Sequence, residues 1–146
     1  MEQAEGSILI DASLEDVMEV VEDFESYTEW ADVRTVDIRQ RGEGGRATEV
    51  AFEVDVPVLG KASYTLAYRY APGDTGLSWS TSEARGAVRD IRGEYLLHEL
   101  SDSETKVTYR LGVELGVLVP GFLRSEGAKR VIENALEKLK RRVEMG

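Results

Sequence analysis

The sequence predicts an α+β domain in which seven antiparallel strands form one curved sheet around a long C-terminal helix, with two short helices between the first and second strands. Three observations carry this. Apolar residues recur at helical spacing over 13–30 and 120–144, the stretch 33–117 alternates with period two between regular turn signals, and 146 residues is the size of one domain. Such a chain buries roughly 70% of the surface its unfolded form exposes, enough for a core without cross-links. It has no Cys, and 42% apolar with 32% charged residues is the balance of a globular protein rather than a disordered one. No repeat or linker divides it, so residues 1–146 read as a single domain.

The elements follow in order. Ser7-Ile8-Leu9-Ile10 is a β-prone run that stops at Asp11. Ser13, with Asp16 three residues on, is placed to cap a helix whose Val17, Val20, Val21 and Phe24 fall at i, i+3, i+4 and i+7. Asp23 is placed to cap a second short helix bearing Tyr27 and Trp30. Six strands are then expected near 33–40, 47–56, 61–70, 77–83, 88–99 and 105–117, separated by turn residues such as Gly42 to Gly45, Pro57 to Gly60, Pro72 to Gly76, Ala84-Arg85-Gly86 and Ser101 to Ser103. From Pro120, which suits the first turn of a helix, the apolar stripe Ala128, Val131, Ile132, Ala135, Leu136, Leu139 and Val143 predicts a helix over 120–144. It would run about 38 Å, and burying its stripe contributes roughly 10 to 20 kcal/mol gross. Lys138, Lys140, Arg141 and Arg142 suit the negative end of its dipole.

A sheet with one apolar face must cover it, and this helix is the only large apolar object left. A strongly curved sheet closing on a helix encloses space. Gly121, Gly127 and Ala128 fill little of it, whereas Leu136, Leu139 and Val143 fill the other half, so a cavity is expected beside the first half of the helix.

Charge excludes other classes. With 18 Lys+Arg against 28 Asp+Glu the net charge is −10, which opposes nucleic-acid binding. The N-terminus carries acid where a signal peptide needs base, and the apolar stretch Leu111 to Leu123 is interrupted by Glu114 and Pro120, short of the roughly 20 residues of a membrane span. A cytoplasmic protein is expected. Gly42-Glu43-Gly44-Gly45-Arg46-Ala47 matches a dinucleotide-binding pattern formally, but a strand follows it, so it reads as a hairpin loop. The single imidazole, His98, is out of phase with Tyr95 and Leu97 and faces solvent. One His without Cys supports no zinc site, and the acids lack calcium-loop spacing, so neither metal nor cofactor is expected.

The aromatic rows are more informative. Tyr64, Tyr68, Tyr70, Trp79, Tyr95 and Tyr109 are in phase with the apolar rows, and buried hydroxyls need partners that a plain core built of Phe and Leu would not. The expected cavity lining is Phe52, Tyr64, Leu66, Tyr68 and Trp79, continued by Tyr95, Tyr109 and Leu111, with Ala128 and Ile132 from the helix. Arg89 shares the phase of Ile91 and Tyr95 and is the one charged group expected at the cavity.

The order of elements, with these residues, resembles the START-like, helix-grip superfamily also called SRPBCC, and more narrowly its polyketide cyclase/dehydrase and coenzyme Q-binding branch. The likeness rests on Ile8 to Ser13, on Val20 to Trp30 with its Asp-Phe-x-x-Tyr-x-x-Trp segment, on Gly93-Glu94-Tyr95, Thr105 to Tyr109 and Val119 to Leu123, and on Leu139 to Glu144. Thr28 and Ser13 depart from it, standing where proline is common. The resemblance implies an apolar cavity for a lipid, isoprenoid quinone or polyketide-like molecule, with Trp30, Phe122 and Leu123 at its entrance. The absence of an acid–base constellation points to a carrier, chaperone or sensor. Two alternatives stay open: an aromatic polyketide cyclase or dehydratase using Tyr64, Tyr68, Tyr109 and Arg89, and a protein-interaction module with a protein partner.

Overall fold

Alternation, turn chemistry and capping place the elements almost where the sequence puts them. The computed structural model describes residues 2–56, 59–116 and 121–146, with side chains at 3–56, 59–116 and 126–146. Strand β1 (Glu2–Ile10) leads into helix α1 (Leu14–Glu22), a 3-10 turn (Phe24–Ser26) and helix α2 (Tyr27–Trp30). A meander follows: β2 (Thr35–Arg41), β3 (Ala47–Val56), β4 (Gly60–Tyr70), β5 (Gly76–Gly86), β6 (Val88–Ser101) and β7 (Glu104–Leu115). Helix α3 (Gly121–Met145) ends the chain. All pairings are antiparallel and the sheet order is β1-β7-β6-β5-β4-β3-β2, so the meander closes on β7 with the first strand at its far edge.

Local chemistry explains the first turn. Ser13 Oγ accepts the Asp16 N–H at 3.2 Å, which caps α1 as expected. Asp23 does not cap the next helical turn with its side chain; it terminates α1 instead, its backbone N–H bonded to the Val20 carbonyl at 3.3 Å. Buried Thr105 donates its hydroxyl to the Ala12 carbonyl at 2.9 Å and so fixes the β1–α1 turn to β7.

Two strands are longer than their alternation suggests. β1 pairs with β7 from Glu2 opposite Val113 to Ile10 opposite Thr105. Its early inward positions are the small Ala4 and Gly6, so it lacks an apolar row. Ala84-Arg85-Gly86 belongs to β5, with Gly86 opposite Ala62, rather than to a turn. The chain reverses at Gly86, whose φ is +81° and where a Cβ would stand 2.3 Å from the Lys61 carbonyl oxygen. Gly42 to Arg46 form the β2–β3 hairpin loop, with Gly44 and Gly45 at positive φ, and β3 begins at Ala47.

Helix α3 packs chiefly on β1 and then on β7. Among its described side chains, Ile132, Leu136 and Leu139 are buried. A Cβ on Gly6 would stand 2.7 Å from Ile132 Cγ2, so the bare backbone there lets helix and strand meet. The C-terminal half is also tied by polar bonds. Lys140 donates to the Leu9 carbonyl (2.7 Å), the Asp11 N–H to Glu144 (2.7 Å), Lys138 to Asp32 (2.5 Å) and Arg142 to Glu29 (3.1 Å). In contrast, Gly127 is exposed, and a Cβ there would meet nothing within 4 Å. Gly127→Ala is therefore expected to raise stability by about 0.5 to 1 kcal/mol through lost unfolded-state freedom. Thermal denaturation checks it: a gain of about 1 to 4 °C is expected, and a loss would mean that α3 does not run through Gly127 as a regular helix.

Candidate functional site: an aromatic chamber under the long helix

The concave face of the sheet carries a continuous series of rings. Antiparallel pairing sets Phe52 opposite Tyr64, Tyr68 opposite Trp79, and Tyr95 opposite Tyr109, and cross-strand partners share a face. Their centroids lie 5.7, 5.9 and 4.7 Å apart. Trp79 joins the groups, 5.4 Å from Tyr95 and 5.7 Å edge-on from Tyr109. It has room because its β6 partner is Gly93, where a Cβ would lie 2.6 Å from Trp79 Cζ2. Leu66 and Leu111 are buried beside these rings, and from α3 Ile132 is buried and Ala128 half-buried.

Two residues missing from the sequence-derived lining belong to this series. Phe24, 1% exposed, packs 4.5 Å from Tyr68, 5.3 Å from Tyr27 and 6.5 Å from Phe52. Tyr27 packs 6.2 Å from Phe52 and 5.0 Å from Trp30. The signal was present: Phe24, Tyr27 and Trp30 are three residues apart, so successive helical turns stack their rings toward one end of the sheet.

The hydroxyls distinguish this face from ordinary packing. Tyr27 donates to the Val21 carbonyl (2.5 Å) and Tyr70 to the Ala47 carbonyl (2.7 Å). Those of Tyr64, Tyr68, Tyr95 and Tyr109 have no protein partner among the described residues, where the one polar side-chain atom both unpartnered and sealed from solvent is Trp30 Nε1. Tyr68, Tyr95 and Tyr109 are nevertheless only 7–9% exposed, so these oxygens sit among apolar and aromatic neighbours without the partner that buried hydroxyls ordinarily find.

Burial also fixes their protonation. Loss of hydration raises the Tyr64 phenol to about 12 and lifts Tyr68, Tyr95 and Tyr109 well above 10. Neighbouring phenols add to the effect: Tyr68 is raised further by Tyr27, Tyr64, Tyr109 and Tyr95. At neutral pH all are hydrogen-bond donors without charge, and none is a base.

Arg89 is a correction. The register shifts between Val88 and Asp90, a bulge that turns Val88 inward and Arg89 outward. Its side chain is 67% exposed, 3.6 Å from Glu114, and does not reach the rings. His98 is exposed, as its phase suggests. The expected cavity-entrance residues Phe122 and Leu123 have side chains outside the described residues; Trp30 lies half-buried against Tyr27.

Two open clefts lie at the margins of the ring series. One, about 340 Å³, is bordered by Asp16, Glu19, Val20, Trp30, Arg142 and Val143. The other, about 220 Å³, lies over Phe24 between Arg41, Arg46 and Tyr70. Arg46 closes it, its guanidinium 4.1 Å from the Tyr70 ring centroid and bonded to Glu22 and to Asp74.

A seven-stranded antiparallel sheet wrapped on a C-terminal helix, with two short helices after the first strand, is the helix-grip fold of START-like proteins. Within that class the chain belongs to the polyketide cyclase/dehydrase and lipid transport family, which it matches over residues 1–144. It is similar to a START superfamily protein from Mycobacterium smegmatis at 22% identity and TM-score 0.88, with 98% of this chain and 97% of that one covered. The Zhui aromatase/cyclase from Streptomyces sp. R1128 matches at 18% identity and TM-score 0.75, covering 98% and 93%. A STAR-related lipid transfer protein from Xanthomonas axonopodis matches at 18% and 0.72, covering 97% and 85%. At these identities the likeness is one of fold. No curated protein matches the chain in sequence. Among the described residues, no helix is long and apolar enough to cross a membrane.

Proposed function

We propose that this domain binds a hydrophobic small molecule, a lipid, isoprenoid quinone or polyketide-like compound, between the sheet and α3, and releases it unchanged as a carrier, chaperone or sensor in the cytoplasm. The observation that carries this reading is the set of four phenols that have no partner among the described residues and lie within an apolar, aromatic wall. Apolar walls with a few placed polar groups are what small-molecule recognition requires. Family membership supports it, since that family spans both lipid transport and polyketide cyclisation. The cyclase alternative needs a proton acceptor near the reacting carbon. Protonated phenols do not supply one, and Arg89 and His98 stand outside, which favours binding over turnover.

The test uses pyrene, an apolar fluorophore without polar atoms. Titration is expected to show saturable 1:1 binding with quenching of Trp79, and Ala128→Phe, which puts a ring one turn from Ile132 on the same helix face, is expected to weaken it at least about tenfold. Failure to bind pyrene, or binding unchanged in Ala128→Phe, overturns the reading. Native mass spectrometry of the purified protein, with organic extraction, identifies any molecule it retains.

A further inference from the structure

We infer that the chamber sorts its guests by charge and hydrogen-bond polarity, favouring an uncharged ligand with two or more separated acceptor oxygens, such as a ring carrying paired carbonyls, over a hydrocarbon and over an anion of the same size. This rests on the binding reading above and specifies its ligand.

The polarity of the lining is one-sided. Four hydroxyl hydrogens lack a protein acceptor among the described residues, and a buried donor left without one carries a desolvation penalty. A ligand carbonyl removes that penalty and a hydrocarbon does not. The donors are also spread out: Tyr64 and Tyr68 are four residues apart on β4, about 13 Å along the strand, while Tyr95 and Tyr109 lie on β6 and β7. Tyr95 and Tyr109 are cross-strand neighbours, 4.7 Å between ring centroids, so one carboxylate meets at most such a neighbouring pair, whereas oxygens on opposite sides of a ring system reach donors that lie apart.

Charge is arranged with the same bias. On β4, β6 and β7 the cations Lys61, Arg69, Arg89, Arg92, Lys106 and Arg110 are all exposed, and Arg110 is spent on Glu5 and Glu94. Among the described residues the cation stacked on a ring is Arg46 on Tyr70, at the margin of the series, and it is paired with Glu22 and Asp74; the chain carries a net charge of −10. Among the described residues an anion entering this chamber meets no unpaired cation, so it loses hydration that phenol donors offset only in part. A free acid enters with its proton or stays out.

Three probes of one size separate these effects: 2-methyl-1,4-naphthoquinone, 2-methylnaphthalene and 2-naphthoate, titrated at pH 8 by calorimetry. The chain has no Cys to add to the quinone. The quinone is expected to bind about 10-fold or more tighter than the hydrocarbon, and the naphthoate at least about 100-fold weaker than the quinone. Tyr109→Phe and Tyr68→Phe, each keeping the ring, are expected to cost about 3- to 10-fold for the quinone and nothing for 2-methylnaphthalene. If the naphthoate binds as tightly as the quinone, or the Phe variants weaken hydrocarbon and quinone alike, the sorting inference is overturned while the chamber stands. If none of the three binds, the chamber reading falls and this inference with it.

Discussion

Above pH 10 the protein is expected to unfold in one cooperative step, with ionised-tyrosine absorbance rising in that same step and not before it. All six tyrosines are raised above the ordinary value of 10, five of them facing the chamber region and Tyr70 at its margin. Burial is the leading cause for each. In the folded state the phenols keep their protons past pH 10, whereas in the unfolded chain they release them there, so above that pH the unfolded state binds fewer protons. The stability associated with each phenol is complete below pH 10 and is lost as pH climbs toward its folded value, about 12 for Tyr64. Each contributes a slope of about 1.4 kcal/mol per pH unit, and the five inward ones together approach about 7. Against a total stability on the order of 5 to 15 kcal/mol, that slope ends the folded state within about two pH units. Circular dichroism and near-ultraviolet absorbance recorded on one alkaline titration test this. Tyrosine ionisation near pH 10 with secondary structure intact would show that the phenols are not enclosed.

Truncating Phe24 is the second large effect. Phe24→Ala removes a ring that is 1% exposed and touches Tyr27, Phe52 and Tyr68. Losses of about 3 to 5 kcal/mol are typical for such a change, or roughly 8 to 15 °C in melting temperature for a domain of this size. Phe24 also floors the cleft that Arg46 covers, so on the binding reading proposed above its loss is expected to open the ring series to that cleft and to quicken ligand release. Phe24→Leu, which restores most of the volume, should recover more than half of the stability. A Phe24→Ala melting point within about 2 °C of the parent would mean that the 3-10 turn does not seat this ring in the core.

Legibility in the sequence followed the strength of each local signal. The meander was visible because Val50, Phe52, Tyr64, Leu66, Tyr68, Tyr109 and Leu111 alternate without interruption, and each alternating row commits one face of its strand. Strand β1 was half hidden because Ala4 and Gly6 face α3, and close approach there selects small residues that carry no hydrophobic signal. Arg89 was misplaced because phase counting assumes an unbroken ladder, and one extra residue at a bulge inverts everything beyond it. Phe24 and Tyr27 were seen as helix residues but not as part of the lining, because their place depends on how the helical pair folds back onto β3 and β4, a tertiary fact. The room made for Trp79 at Gly93 was equally invisible, since it exists only across a strand pair.

The seating of α3 has a mechanical consequence. Its close approach at Gly6 and its bonds to Leu9 and Asp11 all lie along or just beyond β1, at one margin of the sheet. Its bonds to Asp32 and Glu29 lie across the sheet, just before β2 at the opposite margin. The helix is therefore clasped from both sides, and every one of these ties falls between Ile132 and Glu144. A rod held along one half pivots there, so displacement of the helix is expected to be smallest around Leu139 and to grow toward Ala128 and Gly127.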